Sequence, residues 1–379
     1  MLILSLKLAN SNLKYRKERT FLTVFSIVIS IFISFLLLSI IDGFLKTIKN
    51  SINLKKIDIV ITSGDLPIEL GPIVVSTSSY KININIYQEL RNKYPNFIIS
   101  PIFKDLIKIN DKLIPIISLD LNYIDKFYPN SQVNIFYSSQ TAIIGKELSR
   151  LLNLKQNDII TIQNKPFRIS KILNKLNGYE DYAIFIDYKD YIQLFNINSL
   201  SQLWVITNLN NLENKKIIQE LKSTYPNLFF YENEQVNNNQ YSLIALLRSL
   251  QVVIIIASIS TALVASTNTI LITTFERIKE FAILLAIGSP RFLVFLTVLF
   301  EGIIISFIGS IIGIILGIIS SLLFQNSFYK ALNLSIPIVS LSFNVFLQIL
   351  IISILIGFLS SILPAYIAFS INLQESIRK

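Results

Sequence analysis

Neither histidine nor cysteine occurs among the 379 residues. That removes disulfides, Cys/His metal sites, Ser-His-Asp and Cys-His nucleophiles, and imidazole acid–base steps. Carboxylate, lysine and tyrosine chemistry remain. Asp120, Asp125, Glu180, Asp181 and Asp187 could be imagined as a hydrolase site, but no spacing favours a pair over solvated loop charges. A hydrolase buried in a membrane would need a Ser-Lys pair or a carboxylate dyad, and no Lys or Asp lies in the apolar stretches 250–272, 302–324 and 343–369. No Gly-x-x-x-x-Gly-Lys-Ser/Thr loop is present to cradle nucleotide phosphates. No basic stripe interleaves with aromatics, which argues against nucleic acid. No catalytic and no metal-ligating residue is assigned, so function is sought in motion and contact.

The composition places the chain in a membrane. It is 52% hydrophobic and 15% charged, with mean hydropathy +0.57, where a soluble protein carries about 25% charged residues. The stretches 21–41, 250–272, 302–324 (292–324 with its lead-in) and 343–369 can each cross a core of about 30 Å as a helix. The first is expected to be a retained anchor, longer than a signal-peptide core, and Asp42-Gly43-Phe44 is expected to end it. Lys7, Lys14, Arg16, Lys17 and Arg19 precede it; Arg277, Lys279 and Arg291 follow the second span; Arg378-Lys379 close the chain; the loop 325–342 holds only Lys330. By the positive-inside rule, 1–20, 273–291 and 370–379 are expected to be cytoplasmic, with 42–242 and 325–342 outside. The net charge of +10 is mostly this topology signal. Leu2, Leu6, Ala9 and Leu13 share one helical face, so 1–20 reads as an amphipathic elbow on the inner-leaflet lipids.

Within 42–242, β-rich runs at 57–62, 113–119, 158–163, 165–173 and 203–207 mix with helical stretches at 145–154 and 212–225, an α+β pattern. Gln88-Glu89-Leu90 followed by Tyr94-Pro95-Asn96 is echoed by Gln219-Glu220-Leu221 followed by Tyr225-Pro226-Asn227. Each reads as a helix stopped by a proline turn that feeds a strand. Two accounts stand: unrelated stops in a biased composition, or two similar α/β lobes. Residues 233–240 read as a polar linker into the second span.

The loop 273–291 is the most informative segment. Residues 275–287 suit a helix that Gly288-Ser289-Pro290 stops. It is too short to span, so its apolar face must be buried on the membrane interface or on a partner protein. In the third span, Gly309, Gly313 and Gly317 repeat at four-residue intervals, a ridge that lets another helix approach closely. Gly313→Leu is therefore expected to impair subunit pairing. Glu301 is expected to snorkel into the interface or to pair with a base inside the bundle.

In order along the chain, these motifs resemble the four-span permeases of the FtsX/macrolide-exporter (MacB-like) superfamily of ABC transporters, and within it the lipoprotein-releasing permeases LolC and LolE. Ser39-Ile40-Ile41-Asp42-Gly43-Phe44 looks like the exit from span one, and Ile144-Gly145-Lys146-Glu147-Leu148 with Leu152, Leu154 and Asp158 like an element of the outer domain. The segment 276–289 is similar to the family's coupling segment. Leu363-Pro364-Ala365 with Glu375 and Arg378 is similar to its closing signature. Asp42, Asn157 and Leu373 depart from the usual Asn, Gly and Pro.

The resemblance implies an α-helical membrane protein with four transmembrane helices and a large α+β extracytoplasmic domain inserted between helices one and two. It implies a non-catalytic subunit of the bacterial inner membrane, paired with a second permease in a homo- or heterodimer and with a separate ABC ATPase. ATP and Mg would be used by that ATPase, with no cofactor bound by this chain. Glu276, Arg277, Lys279, Glu280, Ile283, Leu284, Ile287 and Gly288 would contact the ATPase. Mechanotransmission to the outer domain would release a lipoprotein cargo to a periplasmic carrier. A permease regulating a peptidoglycan hydrolase and a macrolide-type exporter are the alternatives.

Overall fold

A computed structural model describes residues 2–15, 17–66, 68–70, 73–75, 82–133, 138–332 and 339–371. The chain forms two compact units, one of Met1–Gly43, Arg248–Phe324 and Val339–Lys379, the other of Phe44–Leu247 and Gln325–Ile338.

Leu2–Tyr15 is helix α1 and Lys17–Leu54 is α2. The expected stop at Asp42-Gly43-Phe44 does not occur. One glycine inside a helix costs about 1 kcal/mol, and the helix beyond it buries Ile48, Ser51 and Leu54. That packing outweighs the local breaker.

The second unit begins with β1 (Ile59–Thr62), β2 (Ile68–Leu70), β3 (Ile73–Val75), β4 (Ile82–Asn83), α3 (Ile84–Lys93), β5 (Ile98–Ile109) and β6 (Lys112–Leu119). It continues through α4 (Ile124–Phe127), β7 (Thr141–Ile144), α5 (Lys146–Leu152), β8 (Ile159–Ile162) and β9 (Lys165–Ile172). A 3-10 turn at Tyr179–Tyr182, β10 (Ile184–Asp187), α6 (Tyr188–Phe195), β11 (Ser199–Leu200), β12 (Gln202–Ile206), α7 (Asn211–Thr224) and β13 (Phe229–Glu232) complete it. Nine strands make one mixed sheet in the order β13-β1-β12-β5-β6-β10-β7-β9-β8.

Both faces of this sheet are covered, so its strands read as continuous apolar runs and not as alternation. Ile59, Ile61, Ile184, Ile186, Leu203 and Val205 face one core, shared with Tyr87 and Leu90 of α3, Leu148 of α5 and Ile218 and Leu221 of α7. Val60, Phe185, Trp204 and Ile206 face the other, with Leu54, Phe127 and Tyr128.

The sequence echo is a structural repeat. β1 leads through α3 to β5, β12 leads through α7 to β13, and the four strands lie in the order β13-β1-β12-β5, all antiparallel. This is the split β-α-β arrangement. Both helices end alike: Tyr94 (φ −123°, ψ 71°) donates to the Leu90 carbonyl and Tyr225 (φ −125°, ψ 72°) to that of Leu221. The repeats also hold each other. Lys93 pairs with Glu220 at 2.8 Å, and the Tyr225 hydroxyl donates to Glu89 at 2.9 Å.

The remaining helices are α8 (Asn233–Glu276), α9 (Ile278–Ala286), α10 (Arg291–Leu332) and α11 (Phe343–Phe369). Residues 233–240, expected as a linker, are the first turns of α8. Asn disfavours helix only weakly; here Asn237 donates to the Asn233 side chain at 2.9 Å, and Val236 packs against the second core. α2, α8, α10 and α11 are long and apolar enough to cross a membrane.

The glycine ridge packs within the chain. A Cβ on Gly309, Gly313 or Gly317 would lie 2.8 Å from Ile27 Cγ2, 2.9 Å from Ile31 and 2.8 Å from Phe35 Cδ1. Both residue series ascend together, so α2 and α10 run parallel in close contact. The ridge is therefore occupied by α2 of the same chain and is not open to a second subunit. α10 also crosses α11 closely, where a Cβ on Gly302 would lie 2.8 Å from the Gly357 carbonyl oxygen.

Candidate functional site: the α9 segment

Helix α8 ends at Glu276, and a single residue, Arg277 (φ −99°, ψ 6°), separates it from α9. The far end of α9 is closed by Gly288 at φ +93°. Gly288 donates to the Leu285 carbonyl at 3.1 Å and Ser289 to that of Leu284 at 3.1 Å. This bond pair is the Schellman closure, which needs a left-handed residue at the glycine position. Pro290 follows, and α10 starts at once. The Gly-Ser-Pro stop thus has a defined geometry.

One face of α9 is committed to packing. Phe281, Ala282 and Leu285 are buried against Ile270 of α8, Val294, Val298 and Leu299 of α10, and Ala365 and Ala368 of α11. Ala365 therefore sits in the wall that supports α9 and Pro364 is buried beside it in α11, while Glu375 and Arg378 lie outside the described residues. The other face is open: Glu276, Lys279, Glu280, Ile283, Ile287 and Gly288 are exposed, Ile283 at 56% and Ile287 at 79%. Ile283 and Ile287, one turn apart, form an exposed apolar patch beside the charges of Glu276, Lys279 and Glu280, the composition of a protein- or membrane-contact surface.

Two of the eight expected contact residues are not on that face. Leu284 is half-buried against the α9 core. Arg277 is 5% exposed and turns inward, where Nη1 donates to Glu301 Oε1 and Oε2 at 2.7 and 2.8 Å. Glu301, 6% exposed, does not snorkel. A carboxylate at that depth needs a counter-charge, and Arg277 supplies it. Asn12 of α1, which carries no sequence signal, donates to Glu301 Oε1 at 2.8 Å.

The carboxylates considered for hydrolysis serve the scaffold. Asp120 caps the turn at Asn122, Asp125 pairs with Lys126, and Asp181 accepts from the backbone N–H groups of Leu176 and Asn177 at 2.7 Å each. Glu180, fully buried, accepts from Ser51 at 3.2 Å and lies 3.6 Å from Lys55 Nζ. Asp187 caps α6 through the Lys189 N–H and accepts from the Leu121 N–H at 3.2 Å.

Burial pushes the Asp187 carboxyl up to about 6, against its two backbone hydrogen bonds. The folded state then holds a proton that the unfolded chain releases near pH 4. This group's contribution to stability is accordingly full below about pH 4 and lost as pH rises through about 6. Asp187→Asn, which keeps a cap acceptor, is expected to flatten that slope, worth about 3 kcal/mol at most. Unfolding followed by fluorescence of the single tryptophan, Trp204, buried in the domain core, measures it; equal slopes would sink the expectation.

Comparison with known proteins decides the family. The MacB-like periplasmic core domain matches residues 20–222, more than half of the chain, and the FtsX-like permease C-terminal domain matches 252–373. The chain belongs to the FtsX/MacB-like permeases. It is accordingly a multi-pass membrane protein and an ABC-transporter-type permease, of a family that works with an ABC ATPase subunit and is generally non-catalytic itself. Among solved structures it is similar to the periplasmic region of MacB from Actinobacillus actinomycetemcomitans, at 10% identity and TM-score 0.36, covering 52% of this chain and 96% of that one. It is also similar to the extracellular domain of the noncanonic ABC-type transporter YknZ from Gram-positive bacteria, at 10% identity and TM-score 0.34, covering 47% of this chain and 100% of that one. No curated protein matches. The matched FtsX-like region contains the α9 segment and the glycine ridge, so the site lies in the family's C-terminal half.

Proposed function

We propose that this FtsX/MacB-like permease takes a separate ABC ATPase on the exposed face of α9 and converts its ATP cycle into movement of the domain 44–247. The observation that carries this reading is the α9 surface, with Ile283 and Ile287 uncovered by the chain on a helix whose opposite face is packed. ATP and Mg act at the partner, and this chain binds no cofactor of its own. The charge pattern at the span ends supports α9 and both termini on the cytoplasmic side of a bacterial inner membrane. A second permease, identical or related, fits α8: its most apolar window is only 6% buried, against 39–44% for the other three spans. The motif likeness to LolC and LolE favours release of lipoproteins to a periplasmic carrier over export or hydrolase regulation.

The test is capture of the ATPase from the native membrane in mild detergent, comparing the native chain with Ile287→Asp. A central apolar anchor is worth about 2 kcal/mol, so capture is expected to weaken roughly thirtyfold. Undiminished capture would move the docking surface elsewhere. Gly288 is the poorer site for this test, because any side chain there strains a φ of +93° before it meets a partner. A captured complex that frees a labelled lipoprotein from spheroplasts on ATP addition supports the cargo assignment; ATP-dependent hydrolase activation without release removes it.

A further inference from the structure

Arg277 sits at the one-residue break between α8 and α9 and is tied to three elements. It reaches Glu301 of α10 through Nη1, Glu280 of α9 through Nε at 3.4 Å, and through Glu301 the Asn12 amide of α1. Its guanidinium also lies 4.6 Å from the ring centre of Phe281. Thr20, Thr23 and Thr273 line a small pocket beside the pair, together with Leu13, Ile270 and Ile305.

Stability alone does not call for this arrangement. Removing two charges from water is costly, and apolar side chains of like volume are often as stable or more so. An apolar seam, however, lets a short helix slide or roll by a fraction of a turn. A buried ion pair with one shared carboxylate admits a single register, because any slip leaves a charge unpaired at depth. The pair also lies at the only non-helical residue between α8 and α9, where a hinge would otherwise act.

We propose that Arg277 and Glu301, with Asn12, are positioning residues that lock α9 to α10 and α1, so that a displacement of α9 reaches both helices together. This rests on α9 being the ATPase-docking helix.

The cysteine-free chain lends itself to a direct test. Nitroxides on Asn10→Cys and Ile283→Cys, both exposed sites, report the α1–α9 distance in the full chain in lipid nanodiscs without ATPase. One narrow distance population is expected. Glu301→Gln should broaden it about twofold or split it. The apolar pair Arg277→Met with Glu301→Leu should broaden it equally while unfolding no earlier than Glu301→Gln, which separates register from stability. Arg277→Lys, which keeps the charge, should restore most of the narrow population. An unchanged distribution in both Glu301→Gln and the apolar pair overturns the lock.

In the unlabelled complex, Glu301→Gln should still capture the ATPase, while the permease-dependent part of ATP hydrolysis falls about tenfold. Native hydrolysis in that variant overturns the lock's part in coupling. Failure of the native chain to capture any ATPase removes the docking reading instead, and the distance measurement still decides the lock.

Discussion

Gly313→Leu is expected to unfold the packing of α2 on α10 without any second subunit being involved. The Cβ alone would stand 2.9 Å from Ile31 Cβ and 3.0 Å from the Val28 carbonyl oxygen. The first contact is with a β-branched stem and the second with backbone, so neither can rotate away. Gly309 and Gly317, one turn to either side, are as tightly covered by Ile27 and Phe35. The helices cannot tilt apart at one position without opening all three. Overpacking a filled seam costs about 1–3 kcal/mol, and more where the neighbour is backbone; leucine, with three further carbons, belongs at the upper end. Thermal unfolding in detergent, read alongside oligomeric state, tests this. A large drop in Tm in the isolated chain is expected. An unshifted Tm with lost pairing would return the ridge to an intersubunit role.

Gly145→Ala is expected to be about as damaging to the other unit, by about 4 kcal/mol. Gly145 links β7 to α5, and its φ of −67° is ordinary, so conformational freedom is not the reason for glycine. Close approach is. An added Cβ would lie 2.5 Å from the Glu180 carbonyl oxygen and nearer still to the Asp181 carbonyl. That backbone belongs to the 3-10 turn at Tyr179–Tyr182, which the Gly145 N–H already holds through the Ala183 carbonyl at 2.9 Å. The same turn presents buried Glu180 to Ser51 and Lys55 at the end of α2. Pushing the turn outward therefore loosens the grip of the domain on the helix that enters it. Trp204, within 5.6 Å of Lys55 Nζ, reports the loss through its fluorescence. A variant that melts with the native chain would show that the turn moves freely.

Much of the architecture was legible because the physics behind it is local. Long apolar runs have one stable solution in a bilayer, since every backbone polar group must be satisfied within the segment. Strands such as β6, β8, β9 and β12 fall within a residue or two of where β-branched runs placed them. The Gly288-Ser289-Pro290 stop was equally readable, because a left-handed glycine with a proline two positions on leaves a helix no continuation. The errors share a cause. Asp42-Gly43-Phe44 looks like an end and 233–240 like a linker, because each is locally unfavourable for helix. Both segments are held helical by the domain they enter, through Ile48 and Leu54 in one case and Val236 in the other. The echo of Tyr94-Pro95 and Tyr225-Pro226 had two accounts until pairing of β1 with β12 placed the repeats side by side.

By itself the sequence determined the architecture, apolar spans with a large α+β region between the first two, because each span is a continuous local run of apolar residues. It also singled out the α9 segment, but it did not separate that helix's two faces: Arg277 and Leu284, expected among the contact residues, turn toward the packed side. The tertiary structure decided what each polar or small residue is for. Glu301 could have met headgroups or a base, and only the folding of α9 back beneath α10 and α11 brought Arg277, 24 positions away in sequence, within 2.7 Å. The glycine ridge announced a close helix neighbour without naming it, and the parallel course of α2 supplied one. Periodicity fixes which face is apolar or small; what that face meets is set by contacts distant in sequence, which no local pattern carries.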